Sequence, residues 1–338
     1  MRIIALTHIK SGVGYHRLVL PLVTMKQQIE GGGGRVLITN LCNDEILERG
    51  FDIMLINRNL SKYTMDEVQD WRKRYGFKLI VDNDDYWHLD ADHNLFDHYR
   101  LNNLPDKLME WMRIADGVTC THDRLAYECG KLNSNVCILP NGLPYGEDQF
   151  ADVKAPSEKI RLFWSGSDTH KQDLDILRGP MKRVLDYKPF VKVVMSGYSK
   201  GSHPVWQSMA DAFTVGGKLE HLVYDFADPI TYMHSYCDSD INFIPLRETR
   251  FNSMKSNLKV LEAAVKKNPA IVSNVHPYKD LPACMVNSQK DWNVHLRNLI
   301  KEAEYRKISG QILFDYCNTN FNIYNINKLR YDFYANQY

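Results

Sequence analysis

Short apolar runs alternate with helical patterns in the first half of the chain. The run at residues 2–7 is rich in Ile and predicts a buried strand, which a helical pattern at 15–30 and a second strand at 36–39 follow. The alternation continues, with strands expected at 53–56, 78–81, 117–120 and 136–139 and helices at 65–75, 104–114 and 123–129. Strands that alternate with helices indicate a parallel sheet.

A second series of the same kind follows a polar, proline-containing stretch at residues 147–158, which suits a linker. Its strands are expected at 160–164, 191–195, 222–224, 241–244 and 270–273, and its helices at 174–187, 254–267 and 292–306. We therefore predict an α/β protein with two Rossmann-like parallel-sheet domains, residues 1–148 and 149–338, whose C-terminal tail can pack back on the first domain. Ligands of such sheets bind at the carboxyl ends of strands, here expected in a cleft between the domains.

Composition and charge exclude several classes of protein. The 338 residues carry a net charge of +1, which argues against a surface built for non-specific binding of a polyanion. Seven scattered cysteines without a CxxC motif indicate free thiols in a reducing compartment and argue against zinc. Because no apolar run approaches about 18 residues, we expect no membrane span. The expected location is the cytoplasm, which would be the host cytoplasm for a virus-encoded protein.

A glycine pair, Gly12 and Gly14, follows the first predicted strand. Such a turn lets backbone approach a phosphate or a sugar, and the next helix would favour negative charge at its N-terminus. Arg17 stands where a dinucleotide fingerprint has its third glycine, and the second strand ends in Asn40 instead of an acid. A nicotinamide-dependent oxidoreductase is therefore the weakest of the enzyme hypotheses. A tight turn that only packs strand against helix explains the two glycines equally well.

Three carboxylates, Asp82, Asp84 and Asp85, follow the strand predicted at 78–81. Burying all three would be costly, so the cluster is expected to face solvent or a site. Asp84 or Asp85 could bind sugar hydroxyls or act as a base. The alternative is a helix N-cap with solvated acids.

Small and polar residues follow the first strand of the second half. Ser165 and Gly166, followed by His170 and Lys171, would suit a diphosphate, because small residues admit the ligand and a cation balances its charge. The alternative is a capped turn with a solvated lysine.

The segment 251–262 carries the strongest signal for a nucleotide. In the helix predicted at 254–267, Lys255 and Ser256 would lie in the first turn, where free N–H groups, an ammonium and a hydroxyl favour a diphosphate. Glu262 would follow two turns later on the same face and reach the ribose. A plain amphipathic helix with solvated charges is the alternative.

Several stretches together resemble GT-B glycosyltransferases of family 4. Those of the second half lie at residues 240–246, 251–252, 255–256, 262–264 and 269–272, and 160–166 resembles the start of that family's second domain. The first-half stretches lie at residues 12–14, 115–118 and 138–142. Phe251 and Asn252, together with Lys255 and Ser256, are similar to a divergent branch that includes virus-encoded members.

The resemblance implies a nucleotide-sugar donor, transfer with retention, and no required cofactor or metal. By position, Glu262 would hold the donor ribose, Lys255 and Ser256 would contact the diphosphate, and Gly12 and Gly14 would border the donor phosphate and the acceptor. Asn252 belongs to the same expected donor site. Two positions differ from the family: Met254 replaces a carboxylate eight residues before Glu262, and Ser167 replaces a basic residue, which leaves His170 or Lys171 to supply the charge.

The leading hypothesis is transfer of a sugar to an acceptor hydroxyl by a hexosyl- or pentosyltransferase. Lys255 and His170 or Lys171 would stabilise the leaving diphosphate. A retaining enzyme needs no protein base, whereas an inverting one would use Asp84 or Asp85. The acceptor could be a hydroxymethylated pyrimidine in DNA, which the basic-aromatic run at residues 71–75 favours, or a saccharide or small molecule. A non-catalytic nucleotide-sugar-binding protein is the rival from another class.

Overall fold

Parallel strands supply the framework of the chain. The computed structural model describes residues 1–8, 10–58, 60 and 62–337. The strands of this described part are β1 (Arg2–Leu6), β2 (Arg35–Thr39), β3 (Ile53–Asn57), β4 (Lys78–Asn83), β5 (Gly117–Cys120), β6 (Val136–Ile138), β7 (Ile160–Ser165), β8 (Val191–Tyr198), β9 (His221–Asp225), β10 (Ile241–Ile244), β11 (Ala270–Ser273) and β12 (Cys284–Val286).

Helices connect nearly all of these strands. They are α1 (Gly12–Gly14), α2 (Leu20–Gly31), α3 (Asp44–Leu47), α4 (Met65–Tyr75), α5 (Phe96–Leu101), α6 (Leu104–Ile114), α7 (Asp123–Gly130), α8 (Lys171–Leu174), α9 (Arg178–Val184), α10 (His203–Thr214), α11 (Leu258–Val265), α12 (Gln289–Lys301), α13 (Ala303–Asn320) and α14 (Ile323–Ala335). A π-helical turn, Tyr15–Val19, joins α1 to α2. No described helix combines the length and apolar character that crossing a membrane requires.

The strands form two six-stranded sheets, in the orders β2-β1-β3-β4-β5-β6 and β12-β11-β10-β7-β8-β9. Every strand pairing among the described residues is parallel. The predicted α/β class with two Rossmann-like parallel sheets is thus confirmed. Because helices cover both faces, the strands are continuous apolar runs instead of alternating ones, as in Ile53–Asn57.

The chain divides into two compact units. The first comprises Met1–Gly142, Met254–Ser256 and Phe321–Tyr338, and the second comprises Leu143–Ser253 and Asn257–Asn320. The C-terminal helix α14 therefore belongs to the first unit. Within that unit, Asn327 of α14 donates to the Pro21 carbonyl over 3.1 Å and to Thr24 Oγ1 over 2.7 Å.

Each unit has its own apolar core. In the first, side chains of β1 and β3 pack with Leu18, Leu22 and Phe333. In the second, aromatic rings fill much of the volume, and the Phe243 and Trp292 rings stack with centroids 6.1 Å apart. The seven cysteines are free thiols, as the sequence predicts.

Several predicted element bounds are wrong. The helix expected at 254–267 begins only at Leu258. The helix expected at 292–306 is α12, and two further helices follow it in the stretch rich in Asn and Tyr. Helix α10 and strand β12 were not predicted. By contrast, α4, α6, β5, β10 and β11 have the predicted bounds.

Candidate functional site

The carboxyl ends of β7 and β8 form a tight backbone junction in the second unit. The Gly166 N–H donates to the Ser196 carbonyl over 3.1 Å. Gly197 has a φ of +108°, and a Cβ atom there would lie 2.3 Å from the Gly166 carbonyl oxygen. The positive φ and the lack of space for a Cβ atom each require glycine at position 197. Gly166 is therefore held at the edge of the sheet where ligands of such sheets bind.

Lys259 is the cation at this junction. Its ammonium lies 5.7 Å from the centroid of the Trp164 ring, and a Cβ atom on Gly166 would lie 3.1 Å from Nζ. Lys259 is the second residue of α11, so its charge stands where the helix dipole already favours an anion. A cation supplied by α11 therefore lies beside Gly166, the residue before Ser167.

Glu262 lies one turn after Lys259 and is buried. Its Oε1 accepts from the Tyr232 hydroxyl over 2.8 Å, and its Oε2 accepts from the Tyr236 hydroxyl over 2.5 Å. Burial raises the pKa of Glu262, while the hydrogen bonds from the two tyrosines and the charge of Lys259 act in the opposite direction. The carboxylate is therefore oriented by the protein before any ligand arrives.

Ser165 joins the same network. The Ser165 and Tyr236 hydroxyl oxygens are 2.6 Å apart. Because Tyr236 has one hydroxyl hydrogen and gives it to Glu262, Ser165 is the donor of this bond. Two predicted residues, Ser165 and Glu262, are thus brought together through Tyr236, which the sequence reasoning missed.

Asp173 organises a second group of predicted residues. This buried carboxylate accepts from the Arg247 N–H over 2.9 Å and from Asn252 Nδ2 over 2.9 Å, and its other oxygen lies 3.0 Å from His170 Nδ1. Asn252 Nδ2 also donates to the Arg247 carbonyl over 3.0 Å. Asn252 therefore holds the loop after β10 through its amide hydrogens.

Lys171 lies on the surface side of the same segment. Its ammonium is 3.0 Å from Asp175 Oδ2, one turn along the chain, and its side chain is 37% exposed. Such an exposed pair contributes little to stability and leaves the lysine able to exchange partners.

Lys255 and Ser256 do not lie in a helical turn. A 3₁₀ turn, Asn252–Met254, precedes them, and α11 begins after its N-cap Asn257. The expected spacing of two helical turns between Lys255 and Glu262 is therefore wrong. Lys255, Ser256 and Met254 belong to the first unit, where the Met254 carbonyl oxygen lies 3.0 Å from His122 Nε2.

In the first unit, Gly12 and Gly14 form the first helical turn, capped by Ser11, instead of the expected loop. A Cβ atom on Gly14 would lie 2.2 Å from Thr7 Oγ1, whereas one on Gly12 would meet no atom within 4 Å. Gly14 thus lets the helical turn pack closely against Thr7, the residue that follows β1. An open pocket of about 200 Å³ adjoins this turn, lined by Leu6, Thr7, His8, Ser11, Asn40, Asn57, Leu60, Lys62 and Tyr63.

The acidic cluster at the carboxyl end of β4 divides into a buried and a partly exposed part. Asp82 is 3% exposed and forms a bidentate ion pair with Arg17, at 2.9 and 2.8 Å. The expectation that the cluster as a whole faces solvent or a site is therefore wrong for Asp82. Thr119 Oγ1 also donates to Asp82, over 2.6 Å.

Asp84 differs from Asp82 in its environment. Burial, together with the nearby charge of Asp85, raises the pKa of Asp84 to about 7. Its Oδ1 is buried and has no hydrogen-bond partner among the described residues. The adjacent Arg58 has a φ of +59°, which is uncommon for a residue with a side chain. A carboxyl that titrates near neutrality can exchange protons under ordinary conditions.

Comparisons with known proteins identify the fold. No protein-family model and no curated protein sequence matches the chain. Among solved structures, it is similar to sucrose-phosphate synthase from Thermosynechococcus elongatus, with a TM-score of 0.70 and 11% identity over 99% of this chain and 98% of that one. HepE of Anabaena in complex with UDP and glucose gives a TM-score of 0.68 and 11% identity over 98% of each chain.

A trehalose 6-phosphate synthase from Burkholderia multivorans is similar over 99% of this chain and 98% of that one, with a TM-score of 0.64 and 10% identity. Similarity at 10–11% identity over whole chains establishes the fold. The fold is GT-B. The fold class expected from the sequence is therefore confirmed.

Three polar residues of the group around Ser165 and Glu262 were missed by the sequence reasoning: Lys259, Tyr232 and Tyr236. Lys259 was detectable, since it lies three residues before Glu262 and so shares its helix face. The tyrosines lie in a 3₁₀ helix, Tyr232–Asp238, that has no periodic apolar pattern, so only the structure places them against Glu262.

Proposed function

We propose that the protein is a glycosyltransferase that uses a nucleotide-diphosphate sugar as donor and a hydroxyl group as acceptor. The observation that carries this proposal is the position of Lys259 and Glu262 on one face of α11, beside the Ser165-Gly166 turn. A cation and an oriented carboxylate at the carboxyl edge of a parallel sheet suit the two polar parts of a nucleotide. The similarity to HepE in complex with UDP-glucose supports the same donor class.

The diphosphate would bind at the N-terminus of α11. The first N–H groups of an α-helix have no partner within the helix, and the helix dipole adds a partial positive charge there. A lysine in this first turn opposes the dipole, and a bound diphosphate would offset that cost. Gly166 leaves room for the phosphate oxygens because its missing side chain would otherwise fill the space between Trp164 and Lys259.

The ribose would bind Glu262. Glu262 is three residues after Lys259, which is about 4.5 Å along a helix axis, so the two side chains can contact neighbouring parts of one nucleotide. Each carboxylate oxygen accepts one tyrosine hydroxyl and can accept a second hydrogen bond. Glu262 can therefore receive ribose hydroxyls while Tyr232 and Tyr236 keep it in place.

The chemical step requires stabilisation of the leaving diphosphate. Lys259 and the N–H groups of α11 would supply this, and His170, held by Asp173, would add a donor. We propose transfer with retention, in which a donor phosphate oxygen accepts the acceptor proton, so that no protein base and no metal are required. Lys255 and Ser256 remain candidates for phosphate contacts from the segment Met254–Ser256.

One observation favours an inverting alternative. The pKa of Asp84 is about 7, in the range expected of a general base. An inverting reaction would use this carboxylate to take the acceptor proton. The anomeric configuration of the product separates the two mechanisms, because retention leaves Asp84 without a chemical role.

For the acceptor, we propose a saccharide or small-molecule hydroxyl. The pocket beside Ser11 is lined mainly by uncharged polar side chains, which suit hydroxyl groups. Three residues of the run at 71–75, which favoured DNA, already have partners within the protein. Trp71 is buried, Arg72 pairs with Asp116, and Arg74 pairs with Asp44 and Asp70. A hydroxymethylated pyrimidine in DNA stays the alternative, and salt-dependent DNA binding would favour it.

A thermal-shift screen of nucleotide sugars tests the donor assignment. A ligand at about 100 times its Kd stabilises the native state by about 2.7 kcal/mol, so we expect at least one nucleotide sugar to raise Tm. Lys259→Ala should abolish this shift, whereas Lys218→Ala, which removes an exposed lysine from the same unit, should keep it. Equal shifts in both variants would contradict the site. Slow release of free sugar without an acceptor would exclude a non-catalytic binding protein.

A further inference from the structure

A second polar pocket lies at the opposite edge of the second sheet. Asp240 and Pro269, which immediately precede β10 and β11, place it at the amino ends of these strands. Its volume is about 500 Å³. The residues that line it are Asp152, Lys154, Asp240, Lys266, Lys267, Pro269, Ala303, Arg306, Lys307 and Gln311. Because Ser165 and Gly166 stand at the carboxyl ends of strands, this pocket is separate from the donor site proposed above.

The lining carries an excess of three positive charges, since five cationic side chains face two carboxylates. Asp240 forms a bidentate pair with Arg161, at 2.8 and 2.9 Å, and Asp152 pairs with Lys267 at 3.1 Å. The whole chain has a net charge of only +1. The net positive charge of the pocket lining is therefore larger than the net charge of the whole chain.

Most of these cations have neutral partners. Lys266 donates to the Ala151 carbonyl over 2.5 Å and to the Gln149 carbonyl over 3.3 Å, and Lys154 donates to Asn268 Oδ1 over 2.5 Å. Within the described part of the chain, no carboxylate lies within 4 Å of the charged nitrogens of the following four residues: Lys154, Lys266, Arg306 and Lys307. The carbonyls fix the positions of the ammonium groups without neutralising them.

Burial adds to the cost of this arrangement. It lowers the pKa of Lys154 and of Lys266. For Lys154, the carboxylates of Asp240 and Asp152 act in the opposite direction, and the charges of Arg161 and Arg306 lower its pKa again by repulsion. An anion in the pocket would offset the desolvation and the repulsion together. Ala303, the first residue of the 18-residue helix α13, also lines the pocket, so the positive end of a long helix dipole faces the same space.

We infer that this pocket binds a small phosphate-bearing anion, either free phosphate or a phosphate monoester. Converging cations in a concave site match the compact charge of a phosphate group, and Lys ammonium groups and Arg guanidinium groups are its usual partners. A long polyanion would instead need a basic face that extends beyond one pocket, which the near-neutral chain does not favour.

Isothermal titration with inorganic phosphate, in a phosphate-free buffer at low salt, tests this inference. We expect binding to the wild-type protein, and about tenfold weaker binding to Lys307→Gln, because a charge-assisted hydrogen bond is lost. Lys307 is exposed on α13, so this variant should fold normally. The matched control Lys218→Gln removes an equally exposed lysine of the same unit and should bind as the wild type does.

Four outcomes would each contradict the inference. Absence of phosphate binding, or equal affinities of Lys307→Gln and Lys218→Gln, would overturn the inference. Binding of a short single-stranded oligonucleotide through Lys307, without binding of inorganic phosphate or glucose 6-phosphate, would also overturn it. Loss of phosphate binding in Lys259→Gln, with Lys307→Gln unaffected, would place the anion at the donor turn, so this inference would fail while the proposed function stood.

Discussion

Tyr236 donates its hydroxyl hydrogen to Glu262 over 2.5 Å and receives one from Ser165. This relay orients the carboxylate that we assign to the donor ribose. Tyr236→Phe removes both bonds and leaves a buried carboxylate oxygen without its partner, which costs about 1–3 kcal/mol. We expect KM for the nucleotide sugar to rise about tenfold with a smaller change in kcat, because the affected contact is to the ribose and not to the reacting bond.

Tyr224→Phe is the control for this prediction. Tyr224 belongs to the same unit, and its hydroxyl contacts Asp238 over a longer distance of 3.4 Å. Both variants can be compared by steady-state kinetics and by urea unfolding. If Tyr236→Phe changes stability alone and leaves KM as in Tyr224→Phe, Glu262 is a structural residue and not the ribose ligand.

The two glycines of the first helical turn are predicted to respond differently to alanine. Gly14→Ala would bring a Cβ atom to 2.2 Å from Thr7 Oγ1, and overpacking of this kind costs about 1–3 kcal/mol. Gly12→Ala meets open space and, at a helical position, should be neutral or stabilising by up to about 1 kcal/mol. Chemical unfolding measures both. Recovery of stability in the double variant Thr7→Ala/Gly14→Ala would identify the Thr7 contact as the cause, and no recovery would refute it.

Much of the fold could be predicted from the sequence because apolar periodicity encodes it directly. The four-residue runs of β10 and β11 are wholly buried, and α6 has one apolar stripe that includes Leu108, Trp111 and Met112. Helix α14 was missed because its buried face includes Asn327 and Arg330, whose burial depends on partners elsewhere in the first unit.

The candidate site was harder to predict than the fold. The sequence led to Ser165 and Gly166 through residue type and position at the end of a strand, and to Glu262 through its place in a predicted helix and the resemblance to family 4. It misplaced Lys255, because the start of α11 is set by Asn257 and the preceding 3₁₀ turn, and not by the apolar pattern. Tyr232 and Tyr236 could not be predicted, since their contacts to Glu262 span 30 and 26 residues.

The buried pair of Arg17 and Asp82 is predicted to be essential for stability. Arg17→Met would leave a carboxylate that is 3% exposed without its cation, and breaking such a pair costs about 3–5 kcal/mol. In the same unit, the Arg2 guanidinium donates twice to Asp52 Oδ1, but the Arg2 side chain is 47% exposed. Arg2→Met should therefore lower stability much less than Arg17→Met does.

Urea unfolding of the two single variants and of Arg17→Met/Asp82→Asn distinguishes the causes. Neutralising Asp82 should restore part of the stability that Arg17→Met loses, because the unpaired buried charge is removed. If the double variant were less stable than Arg17→Met, the loss would come from the Arg17 bonds to Leu139 and Asn141 and not from the uncompensated carboxylate.

Asp84 should make the stability of the protein depend on pH. Its pKa is raised from 3.8 to about 7 in the folded state, mainly by burial, so the folded protein holds a proton that the unfolded chain has released. Stability therefore falls as pH rises from about 4 to about 7, and Asp84→Asn should remove this slope and make the protein more stable at pH 8. Urea unfolding at pH 5 and pH 8 measures the effect.

Asp85→Asn is the matched control, and removing that negative charge should lower the pKa of Asp84 and weaken the slope without abolishing it. An unchanged slope in Asp84→Asn would assign the titration to another group. Retained activity in that same variant would exclude Asp84 as the base of an inverting reaction.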